Sequence, residues 1–121
     1  MTTTLARMVD EWHDEVPVAR VEGEVDASNV HEMGERLRSL LTNRSVALVV
    51  DLTATTYLDS AGLNLLFALG EELRGRQQRL GLVVAEGSPI ARMVALVGLD
   101  RALPVHPTLA EALGHAGEGR R

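Results

Sequence analysis

Between Val46 and Leu52 the chain reads Val-Ala-Leu-Val-Val-Asp-Leu, apolar at every position but one. A strand with one wet face alternates apolar and polar residues, so a run without alternation is expected where both faces are covered, as in a central strand of a parallel sheet. Such a strand needs helices packed over the sheet, and the flanking sequence supplies them. Asp26, Ser28 and Asn29 are competent N-caps ahead of Val30, Met33, Leu37, Leu40 and Leu41, a spacing that predicts a helix from about Asn29 to Thr42, closed at Asn43 and Arg44. A second helix is expected from Ser60 to about Arg76, with Leu65, Leu66, Leu69 and Leu73 on its core face. Leu63 and Phe67 fall outside that arc and are expected to be exposed.

The remaining segments fit the same architecture. Leu5 to Trp12 and Val16 to Val25 are expected to form a hairpin turned at Asp14 and Glu15, with Pro17 near the start of its second strand and Gly23 at a bulge or at the strand's end. Leu80 to Ala85 is another apolar strand. Ser88 then caps a helix with Pro89 in its first position, Ile90, Met93, Val94 and Val97 as its buried face and Gly98 as its stop. Leu103 to Val105 suits a short edge strand, Thr108 and Glu111 have capping-box spacing for a last helix through about Leu113, and Gly114 to Arg121 has the composition of a flexible tail. The expected fold is α/β: one domain over residues 1–113, with βαβ crossovers around a small mixed β-sheet and about four helices. Asp51 to Asp59, taken as a loop, and Glu86 to Ser88 should meet at the carboxyl ends of the parallel strands, where sites are usually built.

Composition narrows the chemistry. A chain of 121 residues suits one domain, which at this size buries about two thirds of its unfolded surface. Seventeen acidic against 12 basic residues give a net charge of -5, which argues against nucleic acid as a partner. The absence of cysteine removes disulfide and thiolate chemistry, and the lone Trp, Tyr and Phe provide no stacking platform for bases. No apolar run reaches the roughly 18 residues of a membrane span, and Met1 to Asp10 lacks the core of a signal peptide, so a cytoplasmic location is expected. His13, His31, His106 and His115 show no ligand spacing, and neither a metal nor a cofactor is expected.

Asp59-Ser60-Ala61-Gly62-Leu63 stands at the start of the second helix. An acidic residue precedes Ser60 and two small ones follow it, leaving the hydroxyl uncrowded. This segment, with Val21 to Asp26 and the run from Gly87-Ser88-Pro89-Ile90 through Gly98 to Leu103, resembles STAS domains, and in particular the stand-alone bacterial anti-anti-sigma factors. The resemblance covers about residues 16 to 113. Asn64 stands where many members carry glycine.

The resemblance implies an anti-sigma factor antagonist that is not itself an enzyme. Unphosphorylated, such a protein binds an anti-sigma factor that is also a serine kinase, and so frees a sigma factor. Phosphorylation of the serine in the Asp-Ser-x-Gly motif switches it off, and a serine phosphatase restores it. Ser60 matches that serine and Asp26 the acidic residue that neighbours it in the fold. Asp26, Asp59, Ser60, Gly62, Leu63 and Phe67 are the residues expected at the partner contact.

A phosphoryl group adds about -1.5 to -2 charge, and at a helix N-terminus it meets a favourable dipole and unpaired N-H groups. The fold is expected to absorb this charge, so that the switch works by repelling the partner. Two other readings of the residues are a Mg²⁺ site built from Asp26, Asp51 and Asp59, and an interaction module that does not switch, serving a transporter or a stress-sensing assembly. Thr55 and Thr56 are expected to be plain loop residues or, less simply, additional phosphoacceptors.

Overall fold

The computed structural model describes residues 6–42 and 44–117. Strands β1 (Ala6–His13) and β2 (Val16–Val25) form the antiparallel hairpin, turned at Asp14 and Glu15. Leu5 and Asn43, expected at the start of the first strand and the close of the first helix, lie outside the described residues. Helix α1 (Val30–Ser39) is shorter than the apolar spacing suggests. Leu40 and Leu41 donate their amides to the carbonyls of Leu37 and Arg38, so the chain tightens into i to i−3 bonds, while both side chains still pack on the core.

Then follow β3 (Ala47–Asp51), β4 (Thr55–Leu58), α2 (Ser60–Gly75), β5 (Arg79–Val83), α3 (Pro89–Val97), α4 (Leu99–Ala102), β6 (Val105–His106) and α5 (Leu109–Gly117). The described residues thus hold a mixed sheet of six strands and five helices, the addition to the expected four being the single turn α4. Strand order is β1-β2-β3-β5-β6, with β4 paired to β2.

The central run behaves as its lack of alternation requires. Every residue of β3 is buried. Leu48 and Val50 enter the main core beneath α1, α2 and α3, with Leu37, Leu66, Leu69, Leu73 and Val94. Ala47 and Val49 face a second core on the other side of the sheet, with Val16, Val18, Val83 and two alanines of α5, Ala112 and Ala116. That second layer corrects the expected tail: α5 runs past Leu113 to Gly117, because Ala112 and Ala116 lie one turn apart and both are buried against the sheet. Residues 118–121 of that tail lie outside the described residues.

The other correction concerns the segment between Asp51 and Asp59, which contains a strand. β4 runs parallel to the far half of β2, Gly23 facing Thr55 and Val25 facing Leu58, with a register shift between Gly23 and Glu24. Gly23 sits there at φ 96°, the left-handed region that a bulge of this kind uses and glycine adopts without strain. Thr55 is buried, and its hydroxyl donates to the carbonyl of Val21 at 2.8 Å. Across the helical layer, Arg38 of α1 and Glu72 of α2 form a two-pronged ion pair at 2.8 and 2.9 Å, which raises the pKa of the guanidinium and lowers that of the carboxyl.

Candidate functional site

The pairing of β2 with β4 builds the site. Val25 and Leu58 face each other at the ends of these parallel strands, and the Asp59 amide donates to the Val25 carbonyl at 3.3 Å. Asp26 and Asp59, the next residue on each strand, therefore leave the sheet side by side. Asp26 opens a turn in which its Oδ1 accepts from the Ser28 amide at 2.9 Å and from the Ser28 hydroxyl at 2.5 Å. The Ser28 hydroxyl and then its amide hold the Asp26 carboxyl below its ordinary pKa, so it is ionised at neutral pH. Asn29 locks the same turn, its Oδ1 accepting from the Asp26 amide at 3.1 Å and its Nδ2 donating to the Glu24 carbonyl at 2.9 Å.

Asp59 is the N-cap of α2. Its Oδ1 accepts from the amides of Ala61 at 2.9 Å and Gly62 at 3.2 Å. Ser60 is consequently the first helical residue and is exposed to solvent. The helix start expected at Ser60 is observed. The amides expected to be free for a phosphate are not: two of the first N-H groups of α2 already serve the Asp59 carboxylate. Removing that carboxylate has a measurable cost. Asp59→Ala is expected to destabilise the domain by about 1 kcal/mol, within the roughly 0.5–2 kcal/mol known for lost caps. Urea unfolding followed by circular dichroism checks this, and an unchanged midpoint would show that the cap contributes nothing.

Gly62 is buried, and a Cβ placed there would run into Leu58, with Val25 at 3.2 Å. Its role in the structure is to let the first turn of α2 lie against the ends of β2 and β4, and it offers no side chain to a partner. Leu63, expected to be exposed, is half buried against the main core, because the first turn of α2 presses onto the sheet; Phe67 is exposed, as expected, at 49%.

Ser60, Leu63, Asn64 and Phe67 form one wall of a groove of about 300 Å³, and Val97, Gly98 and Leu99 form the other. Val97 has the helical angle of the buried face of α3 but is 57% exposed, since its turn lines this groove instead of the core. Leu96 beside it is 80% exposed. Single-sequence reasoning missed this second wall. The signal available was a pair of adjacent large apolar residues in front of a helix-stopping glycine.

The other candidates fall elsewhere. The buried Asp51 carboxylate accepts from the amide and hydroxyl of Thr53 at 2.9 and 2.7 Å and lies 3.9 Å from Arg20. It closes the β3 to β4 turn. Asp26 and Asp59 are likewise engaged by their own turns, and among the described residues no three acidic or imidazole side chains gather as ligands. Burial of Thr55 removes it from a kinase's reach, whereas Thr56 is exposed. Thr53, Thr55 and Thr56 do meet Ser88 and Pro89 at the carboxyl edge of the sheet, in a separate cavity of about 300 Å³. No described helix is long and apolar enough to cross a membrane.

A family model described as "Mlab, STAS domain" matches residues 8–111, which run from within β1 into the first turn of α5. The chain belongs to the STAS-domain family. Within it, the chain is similar to the anti-sigma-F factor antagonist RsfB of Mycobacterium tuberculosis, with 35% identity over 89% of this chain and 87% of that protein. The crystal structure of an anti-sigma factor antagonist from Mycobacterium paratuberculosis superposes with a TM-score of 0.82 at 32% identity, covering 92% of this chain and 93% of the other. The fold is also that of SpoIIAA from Bacillus, solved in a phosphorylated form, with a TM-score of 0.64 at 20% identity over 90% of this chain and 98% of that one.

Proposed function

We propose that this chain is an anti-sigma factor antagonist switched at Ser60. Unphosphorylated, it docks the mouth of α2 and the adjoining apolar groove onto an anti-sigma factor that is also a serine kinase, and a sigma factor is released. Phosphorylation of Ser60 ends the docking, and a serine phosphatase reverses it. The observation that carries this reading is the exposed Ser60, preceded by the capping Asp59 and sharing a groove with Leu63, Phe67 and Val97. The identity to RsfB, an anti-sigma-F factor antagonist by name, supports it.

Charge favours a switch over a catalytic role. A dianion on Ser60 gains the helix dipole, of order 0.3–1 kcal/mol at an exposed end, but it also meets the Asp59 carboxylate, which holds the nearest amides. The fold therefore neither needs the phosphate nor rewards it strongly. Its main effect falls on whatever sits against α2. Incubation with candidate anti-sigma kinases and ATP, followed by mass-spectrometric mapping, should place phosphate on Ser60 and none on Ser60→Ala. Equal labelling of the two proteins would overturn the assignment.

A further inference from the structure

β1 is the outer strand of the sheet: all eight of its residues pair with β2, and among the described residues no strand lies on its other side. Exposed edges are usually blunted by charged side chains, proline, a bulge or a covering element. β1 has no proline, and its register with β2 runs unbroken from Ala6 facing Gly23 to His13 facing Val16; what guards it is charge, from Arg7, Asp10 and Glu11, and one long contact in which Arg36 of α1 donates to the Met8 carbonyl at 3.4 Å. Arg7, Val9, Asp10, Glu11 and Trp12 are all exposed, Val9 at 40% and Trp12 at 46%. An unbroken edge of this kind accepts another strand only where that strand's charges complement its own.

The order of charges along β1 indicates which strand. Two copies related by a twofold axis keep their sheet faces continuous only if paired residues have the same parity, so the axis must pass through a residue. Centring it on Arg7, Asp10 or Glu11 sets a like charge against itself, and centring it on Trp12 sets Asp10 against Asp14. Centring it on Met8 pairs no charges at all. Centring it on Val9 sets Arg7 of each copy against Glu11 of the other, Val9 against Val9 and Ala6 against the exposed Trp12 ring, with Met8 against Asp10 as its one mismatched pair. Opposite charges and apolar pairs directly across antiparallel strands are the stabilising combinations. The geometry points to a second copy of this chain as the occupant of the β1 edge, paired antiparallel about Val9 into a continuous sheet across the dimer. This interface lies outside the α2 groove and does not depend on the switch at Ser60.

Charge reversal distinguishes this register from the others. By sedimentation velocity across a dilution series the wild-type chain should pass from monomer to dimer. Arg7→Glu and Glu11→Arg should each lose the dimer, since each sets like charges across the axis twice. Mixing these two variants, or combining both changes in one chain, should restore it, with circular dichroism verifying that each protein is folded. The single tryptophan, Trp12, should shift its emission to shorter wavelength as the dimer forms. Because Arg7 also faces Glu22 within the hairpin, Glu11→Arg is the decisive variant if Arg7→Glu folds poorly. A wild type that stays monomeric throughout, or a Glu11→Arg protein that still dimerises, overturns the proposal; the first result would leave the edge to a strand from another protein.

Discussion

Ser60→Asp is expected to weaken binding to the anti-sigma partner by about tenfold or more, which corresponds to about 1.4 kcal/mol. Full phosphorylation should weaken it further. One added negative charge placed about 4 Å from a partner carboxylate costs at most about 4 kcal/mol at an effective dielectric of 20, and solvent screening at an exposed contact lowers that figure. Within the domain the same charge meets a helix dipole and one capping carboxylate, two effects of opposite sign that partly offset one another. Affinity should therefore respond far more than stability. Isothermal titration of the wild type, Ser60→Ala and Ser60→Asp against the partner measures the first quantity, with Ser60→Ala binding constitutively. Amide chemical shifts measure the second, and they should change only near the start of α2 and the Asp26 turn. Shifts spread through the sheet would mean that the switch works by refolding.

The largest stability effects should come from β3, on both of its faces. Leu48 is fully buried in the main core, and Leu48→Ala is expected to cost about 2–5 kcal/mol, as lost methylenes leave a cavity that close-packed neighbours fill only in part. Val49, one residue on, is equally buried beneath α5. Val49→Asp places a carboxylate in an apolar layer whose adjoining cation, Arg79, is already hydrogen-bonded to His115, a penalty of several kcal/mol. Set against the roughly 5–15 kcal/mol that holds a typical domain together, Leu48→Ala should lower the unfolding midpoint strongly and Val49→Asp should abolish cooperative unfolding. If Val49→Asp unfolded like the wild type, the second core would contribute little and α5 would be dispensable.

The same contrast explains how much of the molecule could be read beforehand. Elements with a pattern of their own were accessible: the unbroken run of β3, the leucine face of α2, the Ser88-Pro89 start and Gly98 stop of α3, and the bulge at Gly23. Features that depend on a distant partner were not. Thr55 to Leu58 is four residues long and polar at its start, and it becomes a strand because β2 extends beyond β3 and offers its far half for pairing. The end of α5 is decided by two alanines whose burial only the sheet reveals. Similarly, the motif around Ser60 marked the start of α2, which the structure shows with Asp59 as its cap. The groove wall at Val97 to Leu99 could not be read, because its position depends on how α3 and α4 lie against α2.

β2 serves two neighbours in turn, its first half locked between β1 and β3 and its second half aligning β4 and the serine that follows. The domain thus has no separate frame and working part: one backbone carries both, with a single glycine at the register shift between them. A substitution that disturbs the inner half of β2 therefore displaces the start of α2 along with the core, so packing there and the position of Ser60 are one property of the same strand.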